Sequence, residues 1–66
     1  MLGKIAFDLA AEAAEVQPLS SAAGWYLGTL DEYGLPLSRE SVEYWASEQE
    51  AMRALETGEW TQRAHP

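Results

Sequence analysis

Trp25-Tyr26-Leu27-Gly28-Thr29-Leu30, followed directly by Asp31-Glu32-Tyr33-Gly34, is the stretch on which the fold turns. A run dense in aromatic and β-favouring side chains passes into turn formers ending in glycine, the residue most tolerant of positive φ. This order predicts the first arm and the turn of a β-hairpin. The return arm is less regular, because Leu35 and Leu37 share one parity and Val42 and Tyr44 the other, with Ser38-Arg39-Glu40-Ser41 between them. Strand side chains alternate with a period of two, so both pairs reach one face only if a bulge or bend interrupts that polar stretch. Pro36 cannot donate to a ladder and is expected at an edge or near the turn.

Downstream, Ser47-Glu48-Gln49-Glu50 fits a capping box, in which serine and glutamate each satisfy a backbone N–H. A helix from Glu48 to about Glu56 is expected, with Ala51, Met52 and Leu55 as its apolar stripe and Thr57-Gly58 as its stop. Tyr44 or Trp45, just before the cap, is placed to staple against Ala51. Glu59-Trp60-Thr61-Gln62 reads as a short third strand, and residues 63–66 are expected to fray, as are residues 1–3.

Upstream, Lys4 to Val16 is alanine-rich, with Asp8, Glu12 and Glu15 on one helical face and Ile5, Leu9, Ala13 and Val16 on the other side. That spacing predicts an amphipathic helix closed by Gln17-Pro18. Residues 4–8 also alternate polar and apolar, so a strand opening stays an alternative there. Leu19 to Gly24 reads as a small-residue linker. The expected fold class is therefore α+β: one small domain over residues 1–66, helix–β-hairpin–helix, with the hairpin packed on the helices.

Size and charge narrow the function. The chain has 66 residues, no cysteine, and eleven acids against four bases, for a net charge of −7. A chain this short is near the limit for folding alone, and disulfides are excluded, so a second protein is the expected source of added stability. The acidic balance argues against direct contact with nucleic acid, whose phosphates require a basic stripe, and against anionic membrane surfaces. Asp8 and Glu12 break the only stretch resembling a signal peptide, so a cytoplasmic location is expected. His65 is the only histidine and has no thiol to join it, so no metal is expected, and no cofactor motif is present. No serine or threonine sits in a nucleophile-elbow context, so no enzyme activity and no small-molecule substrate are expected.

Two constellations remain. Trp25, Tyr26, Tyr33, Tyr44, Trp45 and Trp60 carry more ring area than a small core absorbs, and neighbours on a strand point to opposite faces. A sheet covered by helices on one side would show rings on the other, which is the composition of an interface. Trp25, Tyr26, Arg39, Tyr44 and Trp45 are the partner-binding candidates, with Arg39 expected to pair with a carboxylate or stack on Tyr26. The partner is a protein, either another copy in a homo-oligomer such as a homodimer or a different chain. The alternative is an acidic mimic of nucleic acid that inhibits a DNA- or RNA-binding protein through its carboxylates, which include Asp8, Glu12, Glu15, Glu40 and Glu43. In general look the chain is similar to small accessory proteins of bacteria, phages and plasmids, a likeness that brings no site residues with it.

Overall fold

The hairpin forms where its residue pattern places it. In the computed structural model, which describes residues 2–6 and 14–64, β2 (Gly24–Leu30) runs antiparallel to β3 (Pro36–Arg39). Asp31 shapes the turn between them, its Oδ1 accepting from the amides of Tyr33 at 2.8 Å and Leu35 at 3.0 Å. Gly34, at φ 79°, supplies the left-handed residue that closes it. Two irregularities interrupt the return arm, and the second falls in the polar stretch 38–41 where a bulge or bend is expected. Leu37 is extra in the register, because Thr29 faces Ser38 while Leu30 faces Pro36. Farther on, the amides of Glu40 and Ser41 both donate to the Leu27 carbonyl, at 2.8 and 3.0 Å, so two residues stand against one as in a bulge.

The third strand comes from before the hairpin in sequence and not from the expected Glu59 to Gln62. Gln17–Ser21 forms β1, paired antiparallel to β2 in a sheet of order β1-β2-β3. The linker reading of Leu19 to Gly24 is thus corrected, since the weak intrinsic preference of these residues is overridden by the ladder that β2 offers. Ser21 secures the connection, donating to the Gly24 carbonyl at 2.9 Å and accepting from the Ala23 amide. At the other end of the chain Glu59 to Gln62 contributes one isolated bridge, Ser41 to Gln62, and no strand. Its attachment comes instead from the Glu43 carboxylate, which accepts from the Thr61 amide at 2.9 Å, and from the Arg63 amide, which donates to the Glu40 carbonyl at 2.7 Å. Arg63 is therefore tied down where fraying was expected.

Residues 4–6 are helical and are termed α1. The predicted helix does not reach Val16: residues 14–16 are extended, Glu15 bridges antiparallel to Leu2, and the Gly3 amide donates to the Ala14 carbonyl at 2.7 Å. Those contacts also hold Leu2 and Gly3, which were expected to fray. Residues 7–13, with Asp8, Leu9, Glu12 and Ala13 of the proposed helical faces, lie outside the described residues, as does His65.

The second helix, α2 (Glu48–Thr57), matches its sequence signals at both ends. The Ser47 side chain accepts from the Glu50 amide, and the Glu50 carboxylate accepts from the amide of Ala46, one residue before the cap. Gly58, at φ 76°, closes the helix with its N–H on the Ala54 carbonyl. The buried stripe is Ala51 and Ala54 with half-buried Leu55, whereas Met52 is exposed. Two alanines at this spacing let the helix sit close to the sheet. Val16, Leu27 and Ala51 form the core cluster, with Trp25, Trp45, Leu55 and Trp60 packed around it.

Alternation along β2 fixes the second face. Leu27 points to α2, so Tyr26 and Gly28 point away from it. At Gly28 the backbone has no room for a side chain: a Cβ there would lie 2.7 Å from Tyr26 Cε2 and collide with the Ser38 carbonyl oxygen. Gly28→Ala is expected to lower unfolding stability by about 2 kcal/mol or more, because the blocking atom is backbone and cannot swing aside. Urea denaturation followed by tryptophan fluorescence measures it, and an unchanged midpoint would contradict the close approach.

Candidate functional site

On the face opposite α2, Tyr26 and Tyr44 meet edge to face, with ring centroids 6.1 Å apart and planes at 72°. The Arg39 guanidinium lies 4.3 Å from the centre of the Tyr44 ring. Leu19, the cross-strand neighbour of Tyr26, completes an apolar floor over Gly28. Backbone geometry brings these groups together. The chain bends after Arg39 and returns alongside the start of β2, where Trp25 and Trp45 exchange both N–H···O bonds, at 2.8 and 2.7 Å. Tyr44 is thereby set beside Tyr26, so Arg39 stacks on Tyr44 and not on Tyr26 as expected. Arg39 is further held by its Nε on the Ser41 carbonyl at 2.9 Å and its NH2 on the Val42 carbonyl at 2.7 Å.

The five sequence candidates thus divide between the two faces. Tyr26, Arg39 and Tyr44 form one cluster on the outer face, and Tyr44 is 40% exposed. Trp25 and Trp45 pack against the core cluster on the α2 side and are half-buried. The strand rule that put neighbouring rings on opposite faces decides this division.

Glu40 departs most from the sequence reading. A carboxylate available to a partner is the expectation for Glu40, yet it is 0% exposed, and Ser38 and Ser41 beside it are also buried. Its carboxylate accepts from the amides of Ile5 and Ala6, both at 3.0 Å, from Ser38 Oγ at 2.6 Å and from Gln62 Nε2 at 2.8 Å. Thr29 Oγ1 bonds to Ser38 Oγ at 2.6 Å and extends the network. Two of these donors are amides at the start of α1, whose partial positive charge favours an anion. Gly3 permits the approach, since a Cβ there would fall 2.8 Å from Glu40 Oε2 and 2.6 Å from Thr29 Cγ2.

Burial raises the proton affinity of this carboxyl, but the hydrogen bonds from Ser38, Ile5, Gln62 and Ala6 outweigh it and hold the group ionised below its usual value of 4.5. Glu43 is likewise held below 4.5, the Thr61 amide outweighing the desolvation of its carboxylate. Gly3 is a local mark in the sequence of the close approach to its backbone, although it does not name Glu40 as the group that approaches.

An open cleft of about 330 Å³ runs along α2, lined by Trp45, Glu50, Arg53, Ala54, Thr57 and Glu59. Its one hydroxyl, that of Thr57, donates to the Arg53 carbonyl at 3.0 Å, and the Glu50 carboxylate is engaged at the helix cap. Among the described residues no three histidine, cysteine or carboxylate side chains gather as a metal site requires, and no helix is long and apolar enough to cross a membrane. The chain matches no family model, no curated protein and no solved structure.

Glu40→Gln is expected to destabilise the fold by about 1–3 kcal/mol at neutral pH, because a primary amide cannot accept from all four donors and turns its own N–H groups toward some of them. The pH dependence follows from the direction of the shift. A carboxyl with a depressed folded-state pKa contributes fully above its unfolded value of about 4.5, and the contribution disappears as pH falls through the lower folded value. The stability gap between wild type and Glu40→Gln should therefore be constant above about pH 5 and close below pH 4.5. Glu43 titrates in both proteins and cancels from the difference. A gap independent of pH, read by urea titration, would contradict the ionised state of Glu40.

Proposed function

We propose that this chain is a small, acidic, non-enzymatic module that binds a protein, either a second copy of itself or a different partner, through the aromatic outer face of its hairpin sheet. The observation that carries this reading is the cluster of Tyr26, Tyr44 and Arg39 on the face that α2 leaves uncovered. Tyrosine and arginine are the residue types that dominate interface energetics, and here the rings and the guanidinium are fixed in place before any partner arrives. Trp25 and Trp45 support the same segment from the core side, their backbones clasping β2 to the return chain.

The face is favoured over the sheet edges as the contact. Both edge strands carry a proline, Pro18 in β1 and Pro36 in β3, which removes a ladder donor from each. The rival reading, a carboxylate array imitating nucleic acid, loses a member in Glu40, whose charge is enclosed in the fold. Cytoplasmic residence is part of the proposal, and a chain without cysteine is compatible with it.

The combined variant Tyr26→Ala, Tyr44→Ala is expected to weaken association about thirtyfold or more, the effect of losing roughly 2 kcal/mol at an interface hot spot. For self-association, light scattering reads the mass against the 7.3 kDa monomer. For a different partner, calorimetric titration reads the affinity, and the loss in the double variant should be about the same at roughly 50 and 500 mM salt, whereas a carboxylate mimic would bind the variant as it binds wild type. A folded double variant that associates as wild type does would remove the face from the interface.

A further inference from the structure

The hairpin tip is the most exposed apolar part of the described structure. Tyr33 is 80% and Leu35 60% exposed, and Glu32, Gly34 and Pro36 around them are exposed as well. Yet the backbone beneath is tightly organised. The Asp31 amide donates to the Leu35 carbonyl at 2.8 Å, the Gly34 amide donates to the Asp31 carbonyl at 3.0 Å, and the Asp31 carboxylate takes the amides of Tyr33 and Leu35. Gly34 has the positive φ the turn requires, with open space around it. Two large apolar side chains are thus held outward on a turn already in its final shape, so little conformational freedom remains to be lost on docking.

Neither side chain does structural work that explains it, and the charges around them indicate what they would meet. The Asp31 carboxylate is occupied by the turn, while Glu32 is exposed and makes no hydrogen bond or ion pair among the described residues. No lysine or arginine occurs from Asp31 to Ser38, and the whole chain carries −7. A second copy is a poor occupant, because it brings the same net charge of −7 and its α2 cleft sets two carboxylates, Glu50 and Glu59, against the single cation of Arg53.

We infer that the tip, Tyr33 with Leu35, is the anchor this module inserts into a different protein, and that the receiving site is an apolar pocket rimmed by lysine or arginine. The inference rests on the protein-binding reading above and extends its contact from the sheet face to the adjoining turn. Its test replaces Tyr33, and in a parallel sample Tyr26, with photoreactive p-benzoylphenylalanine in the full chain, produced in cells that naturally express it. After irradiation the adducts are purified and the attachment residue is mapped by mass spectrometry.

The expected result is an adduct from position 33 attached within an apolar pocket bordered by basic residues. An excess of unlabelled wild type should suppress it more than tenfold. The variant Tyr33→Ala, Leu35→Ala should not suppress it, although its melting temperature stays within about 4 °C of wild type, because the truncated side chains stand mostly in solvent. Attachment only to another copy, attachment at a site without basic residues, or equal suppression by the variant would each overturn the inference. Crosslinking from position 26 but not 33 would remove the tip and leave the protein-binding reading in place. No crosslinking from either position would remove both.

Discussion

The Glu40 carboxylate, buried with no cation beside it among the described residues, joins the start of α1 and the C-terminal segment to the sheet. It takes two amides from the start of α1, a hydroxyl from β3 and a side-chain amide from the C-terminal segment. An ionised group with no water contact would be costly if any of its lone pairs were left bare, so the donors must all be in place together. Such a constraint is all-or-none. It fixes where the chain's beginning and end lie relative to the sheet, a role that in a larger protein falls to a more extensive apolar core.

The apolar core here is correspondingly slight. Among the described residues Val16, Leu27 and Ala51 form its centre, and half-buried Leu55 and three tryptophans, Trp25, Trp45 and Trp60, pack against it. Leu27 belongs to both systems: its side chain lies in the core, its carbonyl accepts the amides of Glu40 and Ser41, and its own amide donates to Ser41 Oγ at 3.0 Å. The bulge that turns Glu40 inward is therefore anchored to a fully buried strand residue. Small hydroxyl side chains recur around it because they close backbone hydrogen bonds in a space that larger groups would overfill.

A three-stranded sheet with its helices on one side leaves its other side to solvent or to a partner. On this chain that side holds an aromatic pair capped by arginine, and the hairpin joining β2 to β3 ends in an exposed tyrosine and leucine on a rigid turn. The two features share one hairpin. Both follow from a sheet whose inner face is filled by Leu27, Thr29 and Ser38 and whose outer face is organised around Gly28.

Local chemistry alone determined the hairpin turn, the extent and caps of α2, the need for a bulge, and the separation of Trp25 from Tyr26 and of Tyr44 from Trp45. Each depends on a few adjacent residues: a turn ending in Gly34, Ser47 with Glu50, Gly58, or the period of two. Tertiary structure alone decided the rest. Gln17–Ser21 became a strand because β2 offered a ladder, residues 14–16 left the helical pattern to pair with Leu2, and Glu40 was enclosed in the interior. In all three the outcome is set by a partner far away in sequence, whose hydrogen-bonding groups outweigh a weak local preference, and no pattern within one segment encodes that partner.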